Sequence, residues 1–140
     1  MTREEIVAFF ARHQSAYARH DPALLATFYA EDSVIVSPWA GTVEGRQAIE
    51  DTYRQWFAAF PDFEFHPEEL LIDGDQVAEM LTLAGTDIGG FMGLPPTAKP
   101  FRLRSVHLYT LNEHQIVHER RIYDFTGMLV QVGVLKAKPA

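Results

Sequence analysis

A chain of 140 residues with 47% apolar and 22% charged side chains can fold as one domain around a sizeable core. Its 12 Lys and Arg stand against 19 Asp and Glu, a formal charge of −7, which repels phosphate backbones and argues against nucleic acid as a partner. With no cysteine, thiol catalysis, disulfides and thiolate metal sites are excluded.

Met1 to Glu5 has no apolar leader core, and no run approaches a membrane span, so a cytoplasmic protein that does not enter membranes is expected. Thr2 with Glu5 three residues on has the form of a capping box. Ile6, Val7, Phe9, Phe10, His13, Ala16 and Tyr17 then recur at helical spacing, which predicts a helix to about Arg19. Asp21-Pro22 opens a second, short helix whose apolar face is Leu24, Leu25, Phe28 and Tyr29. Ser33 to Ser37 is a β-branched run and predicts a short strand, followed by a loop from Pro38 to Gly45. Arg46 to Phe60 predicts a third helix with Ile49, Tyr53, Trp56, Phe57 and Phe60 inside.

From Phe63 the period changes to two. Strands are expected from Phe63 to Ile72, from Val77 to Thr86, from Phe101 to Leu111 and from Gln115 to Asp124. Asp73-Gly74-Asp75 is a tight turn, and Phe91 to Pro100 is a loop rich in Gly and Pro. Thr126 to Val134 predicts a short helix or turn, and the tail from Lys136 to Ala140 is expected to be loose. Helices first and hairpin-connected strands after imply an α+β class with a curved, mostly antiparallel sheet. Three N-terminal helices covering one face would make a cone whose open end is a pocket. The whole chain, residues 1–140, forms one domain on this reading.

Two of the expected strands carry the chemistry. Ser105, His107 and Tyr109 share one strand face, and Glu119, Arg121 and Tyr123 share one face of the next. Titratable groups gathered on a sheet beside aromatic rings are what a small-molecule pocket requires. Tyr17, Trp39, Trp56, Phe60, Phe91 and Met92 are candidate lining residues, with Tyr53 and Tyr109 as weaker ones. Any one of them could equally be core packing; as a group they suit an apolar or aromatic-ring ligand. Gly89, Gly90, Gly93 and Pro95-Pro96 suggest that residues 91–96 form a lid or rim. No His-x-His pair or helical His-x-x-x-His set is present, so no metal is expected.

The order of elements resembles the nuclear transport factor 2-like cone fold. Within it, Gly90-Phe91-Met92-Gly93-Leu94-Pro95-Pro96-Thr97, Val106-His107-Leu108 and the run from Asp124 to Gly133 resemble the SnoaL-like polyketide cyclases. The resemblance covers nearly the whole chain. It implies a homodimer and a pocket that needs no cofactor, in which a histidine and an acid close a polyketide ester by intramolecular aldol chemistry. The family's pocket histidine falls on His107, but its acid/base aspartate falls on Arg121. Arginine stays protonated at any working pH and cannot be that base.

Each candidate keeps two readings. His107 is a general base or a satisfied structural histidine. Arg121 with Glu119 is a device that stabilises an enolate or carboxylate oxygen, or a structural ion pair. Asp124 is a proton-transfer group or a helix N-cap. Three functions compete: a cyclase- or isomerase-like enzyme, a lyase-type relative of it included, acting on an apolar carbonyl compound; a binding protein that kept the cone and lost the chemistry; and a hydrolase or hydratase using water between Glu119 and Asp124.

Overall fold

The computed structural model describes residues 1–136, so most of the tail expected to be loose lies outside the described residues. Helix α1 (Arg3–Ala18) starts where the capping box places it. The Thr2 hydroxyl accepts from the Glu5 amide at 3.2 Å, and the Glu5 carboxylate accepts from the Thr2 amide at 2.9 Å. In α2 (Pro22–Ala26) Asp21 caps the Leu24 amide at 3.0 Å, with Pro22 in the first turn. Strand β1 (Tyr29–Ser37) begins four residues earlier than its β-branched core suggests. Phe28 and Tyr29 leave the helix because Tyr29 pairs with Ile116 across the sheet, a contact that local spacing cannot reveal. Strand β2 (Gly41–Glu44) was expected to be loop. Its four residues pair with the end of β1 at the sheet margin.

Helix α3 (Arg46–Ala59) buries Ile49, Tyr53, Trp56 and Phe57. Strands β3 (Glu64–Asp73), β4 (Gln76–Thr86), β5 (Pro100–Leu111) and β6 (Ile116–Tyr123) follow, and α4 (Phe125–Gln131) closes the chain. The six strands form one curved sheet in the order β2-β1-β6-β5-β4-β3. Every pairing is antiparallel except β1 with β6, so the sheet is mixed and mostly antiparallel, in an α+β fold. Pro67 is tolerated because β3 is an edge strand and carries a register shift there.

The helices cover one sheet face. Phe10, Tyr17, Leu25, Tyr29, Tyr53, Phe60, Leu81 and Tyr109 are buried in that interface. The opposite face is half-open, with Val106 and Leu108 partly exposed and Ile122 at 50% exposure. Strict alternation back from Ile122 would put Ile116 on this face too, yet it is fully buried. A register shift between Thr110 and Leu111 turns it inward, as an irregular pairing does.

His13 is an oddity of this core. It is fully buried, neither ring nitrogen has a partner, and its neighbours are the rings of Phe10, Tyr17, Phe28, Tyr29, Phe65 and Tyr109. Burial, helped by the Arg121 charge, pushes its pKa down to about 3. The unfolded chain protonates this ring near its ordinary value of 6.5, and the folded chain resists until about 3. Its contribution to stability is therefore complete above 6.5 and lost as the pH falls from there towards 3. We expect His13→Leu to unfold less readily in acid than the wild type, with a gap in melting temperature that widens from about pH 6.5 to about pH 4. Parallel melting curves across that range would contradict the assignment.

Candidate active site

The register of β5 against β6 places His107 opposite Arg121, Tyr109 opposite Glu119 and Ser105 opposite Tyr123. Alternation then sends all six side chains to the helix-covered face, where His107 and Glu119 are 2% and 0% exposed. Glu119 is the hub. Arg121 Nε donates to its Oε2 at 2.5 Å, the Tyr29 hydroxyl donates to its Oε1, and His107 Nδ1 lies 3.5 Å from Oε2. The Arg121 guanidinium also donates through Nη2 to the hydroxyls of Tyr53 at 2.7 Å and Tyr17 at 3.3 Å, and stacks over the Tyr53 ring. Tyr53 in turn shares hydrogen bonds with Tyr17 and Tyr29 at 2.8 and 2.7 Å. Helices α1 and α3 thus supply phenols, and the sheet supplies the charges.

These surroundings set the protonation states. Burial first, then the charge of Arg121 and the presence of His13, hold the His107 pKa well below its usual value, so the ring is neutral. A carboxylate only accepts, so the proton of that neutral ring sits on Nδ1, towards Glu119 and Tyr109. Nε2 is then a lone pair, and it is buried with no partner. Burial works against the Arg121 charge, but Glu119 and the phenols of Tyr17, Tyr53 and Tyr29 outweigh it and keep the guanidinium charged. Burial pushes the Tyr17, Tyr29 and Tyr53 phenols well up, so they remain donors.

His107 and Arg121 border a cavity of about 20 Å³, room for one water molecule. Trp39 and Trp56 wall it edge-to-face at 5.1 Å, with Tyr17, Tyr53, Tyr123, Ser37 and Leu83 completing the lining. Trp39 Nε1 is a second buried polar atom without a partner. The cavity therefore offers an unpaired base, an unpaired N–H and a fixed cation within an aromatic shell. Trp39 sits in the turn between β1 and the edge strand β2, at the margin of the sheet. Larger hollows of about 580 and 470 Å³ lie beside α1 near Arg12 and His114, and hold no comparable cluster.

The structure brings His107, Glu119, Arg121, Tyr17, Trp39, Tyr53, Trp56 and Tyr123 together. The other candidates lie elsewhere. Asp124 is exposed and caps α4, its carboxylate accepting from the Gly127 amide at 2.9 Å. It follows Tyr123 at the strand end, where the backbone turns into a helix and needs an acceptor. The Glu119–Asp124 water site is thus not formed. Phe60 and Phe91 are core rings 5.4 Å apart, one layer behind Trp56. Met92 is 57% exposed, and no residue from 91 to 96 borders the cavity, so this segment is not its lid. Buried Asp87 pins it by accepting from the Gly90 and Thr97 amides, and a side chain at Gly89 would meet the Ala58 carbonyl oxygen at 2.0 Å. Tyr109 lies on the expected face but behind His107, bonded to Nδ1 at 3.3 Å and to Glu79 at 3.1 Å. Sequence reading missed Tyr29, Ser37 and Glu79. Inward alternation along β4 could have singled out Glu79, a carboxylate between Val77 and Leu81. Among the described residues no three His, Asp or Glu side chains gather as a metal site, and no helix is long and apolar enough to cross a membrane.

The family model for SnoaL-like polyketide cyclases matches residues 8–132. The chain belongs to that family. It is 35% identical over 80 residues to the nogalonic acid methyl ester cyclase of Streptomyces nogalater, a match spanning 56% of this chain and 60% of that relative. Among solved structures it is similar to IdmH of Streptomyces antibioticus, described as a candidate polyketide cyclase. The TM-score is 0.76 at 28% identity, over 91% of this chain and 97% of that one. AclR of Streptomyces galilaeus, described as a candidate hydroxylase, has the same fold, with a TM-score of 0.83 at 22% identity over 99% of this chain and 87% of that one.

Proposed function

We propose that this SnoaL-like protein is an enzyme needing no cofactor, which removes a proton from the carbon beside a carbonyl in an apolar, ring-bearing polyketide ester. The observation that carries the reading is the lone pair of His107 Nε2, unpartnered at a cavity that Arg121 also borders. In this scheme Nε2 takes the proton, and the enolate oxygen lies against the guanidinium. The enolate carbon attacks a second carbonyl of the same molecule, and the new alkoxide takes the proton back. Reprotonation at a different carbon, without ring closure, is the isomerase variant. The family comparison supports the cyclase version. The acid expected at position 121 is replaced by a cation, which moves the base role to His107 and gives position 121 the charge-stabilising role. With the cavity closed down to about 20 Å³, substrate entry requires its aromatic walls to move apart.

The test uses nogalonic acid methyl ester, the compound in the relative's name, in deuterated water. Ring closure, or deuterium gained at the carbon next to the carbonyl, is expected. Saturable binding with neither would overturn the enzyme reading in favour of a binding protein.

We further propose a homodimer joined through the outer sheet face. Val34, Val36, Met80, Val106 and Leu108 are partly exposed there, Ile122 is half-exposed, and an apolar groove of about 190 Å³ runs between Met80, Val106 and Ile122. Apolar side chains on an otherwise open sheet face, here with His118 and Arg120 among them, mark an interface. Light scattering at micromolar concentration is expected to give a dimer, and Ile122→Asp a monomer. A wild-type monomer would contradict the proposal.

A further inference from the structure

Two buried carboxylates point inside this sheet, and they are held in opposite ways. Glu119 has a cation against it, Arg121 at 2.5 Å. Glu79 is 0% exposed and has none. Its Oε2 accepts from Gln14 Nε2 at 3.0 Å and its Oε1 from the Tyr109 hydroxyl at 3.1 Å, both neutral donors. A carboxyl group out of water with only neutral partners favours its protonated form. Glu79 also stands opposite His107 in the register of β4 against β5. The Tyr109 hydroxyl lies 3.3 Å from His107 Nδ1. A hydrogen-bonded file therefore runs from Glu79 Oε1 through the Tyr109 hydroxyl to His107 Nδ1, and the far ring nitrogen is the unpartnered one at the cavity.

We propose that Glu79 is the proton store of this site, filled and emptied through Tyr109 and His107. The proposal rests on the reading of His107 as the base. As Nε2 takes the substrate proton, Nδ1 passes its own to the Tyr109 oxygen, and Tyr109 passes its own to Glu79 Oε1. Three bonds to hydrogen break, at the substrate carbon, Nδ1 and the tyrosine oxygen. Three form, at Nε2, the tyrosine oxygen and Glu79. The electron pair of the broken C–H bond stays on the substrate as the enolate. His107 and Tyr109 end neutral, and Glu79 ends as the neutral acid. When Nε2 later protonates the product alkoxide, the file runs backwards and resets.

The store answers a difficulty the site creates for itself. A cationic imidazolium at His107 is opposed by burial, by Arg121 and by His13. Glu119 is not on this file, and both its oxygens are already taken by donors, Oε2 by Arg121 and Oε1 by Tyr29. Burial raises the Glu79 pKa to about 7, against the opposing hydrogen bonds of Gln14 and Tyr109 and with a small push from Glu119. The groups around it are Gln14 and neutral His13 on α1, His107 and Tyr109 on β5, and charged Glu119 on β6. None is a cation that would hold Glu79 ionised. Glu79 acts through His107 and is a positioning residue in this scheme, not a group that touches substrate.

The file can be tested without substrate by carbon and nitrogen NMR on labelled protein. The Glu79 carboxyl carbon should titrate near pH 7, a signal absent in Glu79→Gln, and His107 should carry its proton on Nδ1 above that pH. A Glu79 carboxyl still ionised at about pH 5, or a His107 ring protonated on Nε2 at about pH 8, overturns the proposal. Turnover of nogalonic acid methyl ester gives the second arm. Glu79→Gln can still accept from Tyr109 but cannot take a proton. It should lower kcat by about a hundredfold with KM little changed, and abolish the rise of kcat through neutral pH. Glu79→Asp should regain part of both. If Glu79→Gln matches the wild type in rate and pH profile while His107→Ala is inactive, the store fails and the base stands. If His107→Ala keeps full turnover, the base itself fails.

Discussion

Replacing His107 with alanine is expected to lower turnover by about a hundred- to ten-thousandfold, the usual cost of removing a positioned general base, while the fold survives. Survival follows from the local bonding. Glu119 keeps Arg121 and Tyr29 as donors, and Tyr109 keeps Glu79 as acceptor, so no buried charge loses its only partner. What disappears is the lone pair at the cavity wall. The vacated space lies between Phe65, Tyr109 and Glu119, and free imidazole added at high concentration should fill it and restore part of the rate. Rate measurements with and without imidazole, beside thermal melting, decide the matter. Full activity in the alanine variant would remove His107 from the chemistry.

The part of this site that sequence could reveal is the part that depends on alternation. His107 with Tyr109, and Glu119 with Arg121 and Tyr123, fall on shared faces because β5 and β6 are regular where these residues lie. Ile116 shows the limit of that rule, since one register shift moved it from the outer face to the core. Asp124 was ambiguous because aspartate at a strand-to-helix junction serves equally as cap or as catalyst, and only its contact with the Gly127 amide separates the two. Tyr29 and Glu79 were hidden for a different reason. Their partners are 90 and 30 residues away, Glu119 and Tyr109, and those meetings are set by strand order, which no local period encodes. Trp39 was legible as an aromatic in a loop, but its place depends on β2, a strand of four residues, too short for an alternating period to show. The fold was easier to read because its marks are local, namely the Thr2–Glu5 box, Asp21-Pro22, and the change of period after Phe63.

Removing Arg121 should lower turnover by about a hundred- to a thousandfold, the usual cost of losing a donor that meets developing negative charge. Arg121→Ala alone cannot prove this, because the same change strands the Glu119 carboxylate in the core. Breaking a buried pair from one side costs about 3–5 kcal/mol, enough to unfold a marginal domain. The informative variant is Arg121→Met combined with Glu119→Gln. The glutamine still accepts from Tyr29, no unpaired charge remains, and the methionine fills the guanidinium's space. Thermal melting of the double variant should recover towards the wild type, and turnover should not. Recovery of both would make Arg121 a structural counter-ion and nothing more. Arg121→Asp probes the family resemblance from the other side. It restores the acid that the cyclase pattern expects, but beside Glu119, and two carboxylates so close cannot both ionise, so one of them carries a proton at neutral pH. With His107 kept, that variant gains a neutral acid and loses its fixed cation. It should turn over more slowly than the wild type, with a new rate dependence on pH from the shared proton. A variant faster than the wild type would mean that the cation at position 121 serves binding, and that the family's aspartate chemistry remains open to this fold.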